Sequence, residues 1–171
     1  DIPVAEVKLN NEELAQLAGI DIHSNPYSRN TLLALIAASQ AVKSSGWSEA
    51  AGKETGAILA TTVGGMDLNE QYYKSLLQSD QYKHLIRLFD SADCAEKVAA
   101  HLGIRQHVTT ISTACSSSAN AIMLGARLIK NRRLNRVLAG GSDALTKFTL
   151  NGFFALEILS ATGCRPFDKD R

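Results

Sequence analysis

The chain has 171 residues, of which 45% are hydrophobic and 20% charged, with a formal net charge of +1. That length supports one domain with a core of its own, and the near-neutral charge argues against a nucleic-acid footprint. No apolar run approaches the ~20 residues of a membrane span, and Asp1 to Glu6 lacks the basic and apolar regions of a signal peptide.

The opening residues carry little periodicity before Ser28-Arg29-Asn30. Thr31 to Ser45 reads as a helix, with Leu32, Leu35, Ile36, Ser39 and Val42 on one face and Gly46 as its stop. Gly56 to Val63 is a short apolar run, a buried strand ending in Gly64-Gly65, where backbone can approach a neighbour or ligand closely. A mixed polar helix spans Asp67 to Gln78, and the stretch to Asp90 has no clear pattern. Ser91 is the expected N-cap of the next helix, with Cys94, Val98, Ala99 and Leu102 on one face and Gly103 at its end.

Thr109 to Thr113 is rich in β-branched residues and reads as a strand. The helix after it, to Lys130, carries Ala119, Ile122, Met123, Ala126 and Ile129 at the spacing of a core-facing stripe. Arg136 to Ala139 is a strand closed by Gly140-Gly141, and a last helix runs from Asn151 to Leu159. The segment from Thr109 to Ala139 forms a βαβ unit, which crosses over right-handed onto a parallel sheet. The fold class is therefore α/β, a mostly parallel sheet packed by helices.

Three cysteines without a CxxC pair form neither a disulfide framework nor a zinc site, and they fit a reducing cytoplasm. His23, His84, His101 and His107 are scattered, without metal-ligand spacing. Cys115 stands apart because it lies where a strand turns into a helix. Unpaired N–H groups at a helix start favour a negative charge, so a thiol there ionises more easily than a free one. The alternative is a small core residue, since free cysteine is among the most buried residue types. Cys94, on a helix, and Cys164, in a loop before Arg165-Pro166, lack that setting and read as structural.

Gly64-Gly65 and Gly140-Gly141 mark turns, and neither belongs to a GxGxxG or phosphate loop. Lys130, Arg132, Arg133 and Arg136 follow a helix, where positive charge complements the C-terminal dipole; docking of an acidic partner is the sharper alternative. No GxSxG elbow is present, so a serine hydrolase of the α/β class is excluded.

Four motifs in order, Ser112-Thr113-Ala114-Cys115-Ser116-Ser117-Ser118, Val137 to Asp143, Gly152-Phe153 with Leu159-Ser160, and Arg165-Pro166-Phe167-Asp168-Lys169-Asp170-Arg171, resemble the β-ketoacyl-acyl carrier protein synthases of the thiolase-like superfamily. Ser28-Arg29 and Gly56 to Gly65 look like that family more loosely. The resemblance implies an acyltransferase in which Cys115 is the nucleophile and its backbone N–H an oxyanion-hole donor. It implies that Val63 and Phe153 line the acyl-chain pocket, that the strand before Cys115 pairs across a homodimer axis, and that acyl carrier protein delivers the acyl and malonyl thioesters. No metal or organic cofactor is implied.

The same resemblance implies that residues 1–171 are an incomplete N-terminal synthase domain, lacking the family's opening strand and its C-terminal half. That half carries the two histidines of decarboxylation, so condensation is not expected from this stretch alone. Three serines after Cys115 look closer to polyketide-type than to fatty-acid enzymes, while Ser112 stands where polyketide modules usually carry an acidic residue. A thiolase-like enzyme using coenzyme A thioesters and a non-catalytic acyl-binding or dimerisation fragment are the alternatives.

Overall fold

The computed structural model describes residues 4–47, 54–160 and 163–169. Its helices are α1 (Asn11–Ala18), α2 (Arg29–Ser44), α3 (Met66–Gln78), α4 (Ser91–His101), α5 (Ser117–Lys130) and α6 (Lys147–Ala155). Its strands are β1 (Thr55–Ala60), β2 (His107–Ile111) and β3 (Arg136–Gly141). They form one parallel sheet in the order β2-β1-β3. β1 is fully buried, and its alternate residues feed two cores. Ala57 and Leu59 join Leu35, Ala38, Cys94 and Val98 from α2 and α4 on one face; Ile58 and Ala60 meet Ala121 of α5 on the other. The α/β expectation holds, with helices on both faces.

Register determines where the site forms. Ala60 is opposite Ile111 on one side and Gly141 on the other, so all three strands end at one edge. Ligands of open α/β sheets bind outside that carboxyl edge.

Several expectations need correction. α1 was hidden in the weakly patterned opening, yet it has a complete capping box between Asn10 and Glu13. A 3₁₀ segment, Asp80–Phe89, occupies the stretch without a pattern. α2 starts at Arg29 because the Ser28 side chain accepts the Thr31 N–H. Asp90, not Ser91, caps α4, its side chain accepting the Ala92 N–H. β1 stops at Ala60 rather than Val63: the Thr61 N–H still reaches the Ile111 carbonyl, but the N–H groups of Thr62 and Val63 turn to a carboxylate described below. β2 lies two residues earlier than expected. α6 begins at Lys147 instead of Asn151, since the Thr146 side chain accepts the Thr149 N–H and starts the helix there.

The stripe on α5 is the largest correction. Ala119, Ile122, Met123, Ala126 and Ile129 are all exposed, and the buried residues are Ser117, Ala121 and Gly125. Small residues win because the helix lies close to the sheet: a Cβ on Gly125 would sit 2.9 Å from a Val137 methyl. Among the described residues no helix is long and apolar enough to cross a membrane.

Candidate functional site

Cys115 lies in a short 3₁₀ turn, Ala114–Ser116, between the end of β2 and the start of α5. The reversal is sharp because Ala114 has φ 53°, in the left-handed region, a conformation costing an L residue about 1–2 kcal/mol. Local hydroxyls stabilise the turn. Ser117 Oγ donates to the Ala114 carbonyl at 2.6 Å and accepts the Thr113 N–H at 2.8 Å. Ser116 Oγ donates to the Thr113 carbonyl at 2.8 Å, and the Asn120 amide donates to Thr113 Oγ1 at 2.8 Å. Cys115 itself is exposed, which rules out the small-core reading. Its N–H makes no hydrogen bond among the described residues.

The loop after β1 faces this turn. Asp143, beyond the end of β3, accepts the Thr61 hydroxyl at 2.6 Å and the N–H groups of Thr62 and Val63 at 2.9 and 3.2 Å. Thr61 Oγ1 also accepts from Gly64 N–H and from the buried Asn30 side chain, both at 3.0 Å. Asn30 in turn accepts the Ser142 hydroxyl at 2.6 Å. Thr62 Oγ1 reaches across to donate to the Ala114 carbonyl at 3.2 Å. One side-chain network thus joins α2 and the ends of all three strands. Networks of this kind fix geometry where isolated bonds would not.

The second glycine of each pair is required by close approach. A Cβ on Gly65 would overlap the Leu88 carbonyl, and one on Gly141 would strike the Ser118 side chain and the Ala60 carbonyl.

Between these elements is a cavity of about 260 Å³, lined by Cys115, Ala114, Ser117 and Ser118 from the turn, Ala60 to Val63, Asp143, Ala144, Thr149 and Phe153. The three site residues expected from sequence, Cys115, Val63 and Phe153, therefore meet in one place. The sequence alone does not mark Asn30, Thr61, Thr62 and Ser117 for the site, and Ser142-Asp143 stand out there only as part of a family motif. The hydroxyl run Thr61-Thr62 before two glycines was the available signal.

Phe153 reaches the cavity from α6, whose first turn is held by α3: the Glu70 carboxylate accepts the N–H groups of Lys147 and Phe148 at 3.1 and 2.5 Å. α6 has no buried residue. The other cysteines differ sharply. Cys94 is buried, and burial above all pushes its thiol up to about 11. Cys164 is exposed, just before Arg165-Pro166. Arg165 and Asp168 are 3.8 Å apart in the last described turn; Asp170 and Arg171 of that motif lie outside the described residues. Arg136 stacks on the Trp47 ring at 5.2 Å. Among the described residues no three His, Cys, Asp or Glu side chains form a group that could hold a metal.

A parallel three-layer α/β sheet with a cysteine on a strained strand-to-helix turn, opening into a cavity at the carboxyl edge, has the architecture of the thiolase-like ketosynthases. Residues 15–171 match the model of the β-ketoacyl synthase N-terminal domain, and the chain belongs to that family. Nodulation protein E of Rhizobium meliloti (strain 1021) is 33% identical over 178 residues, covering 98% of this chain and 42% of the relative. The tetracenomycin polyketide synthase ketoacyl synthase alpha subunit of Streptomyces glaucescens is 30% identical, over 86% of this chain and 39% of that protein. The solved structure of a ketosynthase in complex with its chain length factor, from Xenorhabdus doucetiae, superposes with a TM-score of 0.71 at 31% identity, covering 98% of this chain and 41% of that one. The chain thus spans roughly two fifths of the length of these relatives.

Proposed function

We propose that this chain is the nucleophile-bearing part of a β-ketoacyl synthase that loads an acyl group onto Cys115. The observation that carries the reading is the convergence of an exposed thiol, an N–H on the same residue that is unbonded among the described residues, and the Val63–Phe153 cavity at one sheet edge. The Cys115 sulfur attacks the thioester carbonyl of an acyl carrier protein, its proton leaving to solvent or base. The tetrahedral oxyanion forms against the Cys115 N–H, and the carrier thiolate departs to give the acyl-enzyme.

Condensation then follows from a malonyl thioester. It loses carbon dioxide, and the resulting carbanion attacks the acyl carbonyl, forming a carbon–carbon bond and releasing the Cys115 thiolate. The reaction balances without an oxidant, reductant or metal. The groups that stabilise the enolate belong, on this reading, to a second half beyond residue 171, residues 1–171 being the N-terminal domain. None of this chain's histidines lines the Cys115 cavity.

The relatives named as polyketide synthases favour a polyketide-type over a fatty-acid role. Three free cysteines support a cytoplasmic location. β2 lies at the edge of the sheet, which supports strand pairing with a second subunit. A second copy is the simplest partner; the pairing of a ketosynthase with its chain length factor supports a related, non-identical subunit as the other reading.

The test is intact-protein mass after incubation of the full-length protein with an acyl-acyl carrier protein thioester. A gain of one acyl group, absent in Cys115→Ala, is expected. No gain from folded protein would overturn the reading in favour of a non-catalytic module, and loading from acyl-coenzyme A alone would favour a thiolase-like enzyme.

A further inference from the structure

The left-handed Ala114 holds Cys115 out of the line of β2, and two hydroxyls secure its carbonyl. The Ser117 bond is local and moves with the turn. The Thr62 bond is different, because it comes from the neighbouring strand end, 52 residues away in the chain. Thr62 is itself anchored, its N–H and that of Val63 both donating to Asp143 Oδ1. One short loop therefore presents a wall of the cavity, Val63, and grips the turn that presents the nucleophile.

We propose that Thr62 is a positioning residue: its hydroxyl, braced through Asp143, sets the Cys115 thiol and N–H in register with the cavity for acyl transfer. The proposal rests on the acyl-transfer reading above. Because the Thr62 hydroxyl is committed to the Ala114 carbonyl, it acts through the turn rather than on the substrate. Attack on a thioester demands near-contact geometry of sulfur and carbonyl carbon, and small misplacements of the attacking group slow such steps strongly.

The experiment compares Thr62→Val, Thr62→Ala and Thr62→Ser with the wild type in the full-length protein. Hexanoyl-N-acetylcysteamine is the acyl donor, Cys115 acylation is followed by mass against donor concentration, and amide hydrogen exchange is followed over residues 113–117. Thr62→Val and Thr62→Ala should lower the limiting acylation rate roughly tenfold with half-saturation little changed, and Thr62→Ser should restore it. Exchange in the turn should quicken in the two hydroxyl-free variants only.

Unchanged exchange in those variants overturns the positioning role whatever acylation shows. An unchanged rate, a loss confined to half-saturation, or equal loss in Thr62→Ser overturns it as well. A wild type inert to the thioester, whose turn still responds to Thr62→Val, overturns the acyl-transfer reading and leaves only the mechanical coupling.

Discussion

The Asp143 carboxylate accepts the Thr61 hydroxyl at 2.6 Å, joining the residue after β1 to the loop after β3 across 82 positions of sequence. The same oxygen takes two backbone N–H groups, so it ends the β1 ladder and shapes the loop that faces Cys115. Asp143→Ala leaves three donors without this acceptor and should lower stability by about 1–3 kcal/mol. Urea unfolding measures the loss. Asp143→Asn keeps one acceptor oxygen and should fall between the two; a wild-type midpoint in Asp143→Ala would show that water replaces the carboxylate freely.

The three thiols should separate by reagent. Iodoacetamide at pH 8 should label Cys115 and Cys164, both exposed, and spare Cys94. With its thiol near 11, Cys94 holds about one thousandth of its population as thiolate at that pH, rising about tenfold per pH unit. An acyl thioester should modify Cys115 alone, and Cys94→Ala and Cys164→Ala should load as the wild type does. Peptide mapping distinguishes the sites, and equal acylation of all three would remove any special status for Cys115.

Glu70 caps the helix that carries Phe153. Glu70→Ala should free the first turn of α6 at a cost of about 1 kcal/mol and quicken hydrogen exchange from residue 147 onward. Because Phe153 lines the cavity, the preference among acyl chain lengths in Cys115 loading should broaden. An unchanged profile beside faster exchange would mean that the Phe153 wall is held from elsewhere.

Asp67 gives a pH signature. Burial raises its carboxyl above the ordinary value, outweighing the bond from the Arg29 N–H at 2.9 Å, and its Oδ1 has no hydrogen-bond partner. With the folded value above the unfolded one, the stabilising contribution is full below the unfolded value near 3.8 and is lost as pH rises through the raised folded value. Asp67→Asn, which cannot ionise, should therefore gain on the wild type as pH rises from 4 to 7. Denaturant midpoints across that range measure it, and a constant difference would show that the carboxyl titrates alike in both states.

Local signals were legible where one residue's side chain acts on its near neighbours. The buried face of α4 could be read from Cys94, Val98 and Ala99, and the strand-to-helix placement of Cys115 from the β-branched run followed by small polar residues. The α5 stripe could not. Its larger apolar residues have helical spacing, but the sheet accepts the opposite face because Ala121 and Gly125 allow a closer approach. Periodicity identifies faces of a helix; it does not say which one the sheet takes.

The sequence by itself determined the alternation of strands and helices, the position of the thiol and the four ordered motifs of the synthase family, because each is written in residues close together. Only the tertiary structure decided that Asp143 ends β1, that Thr62 grips Ala114, and how packing brings Val63 and Phe153, expected from the family resemblance, into one cavity with Cys115. Those contacts are single side-chain hydrogen bonds and packing across long stretches of chain. They leave no period in the sequence, and they exist only after parallel pairing brings three strand ends to one edge.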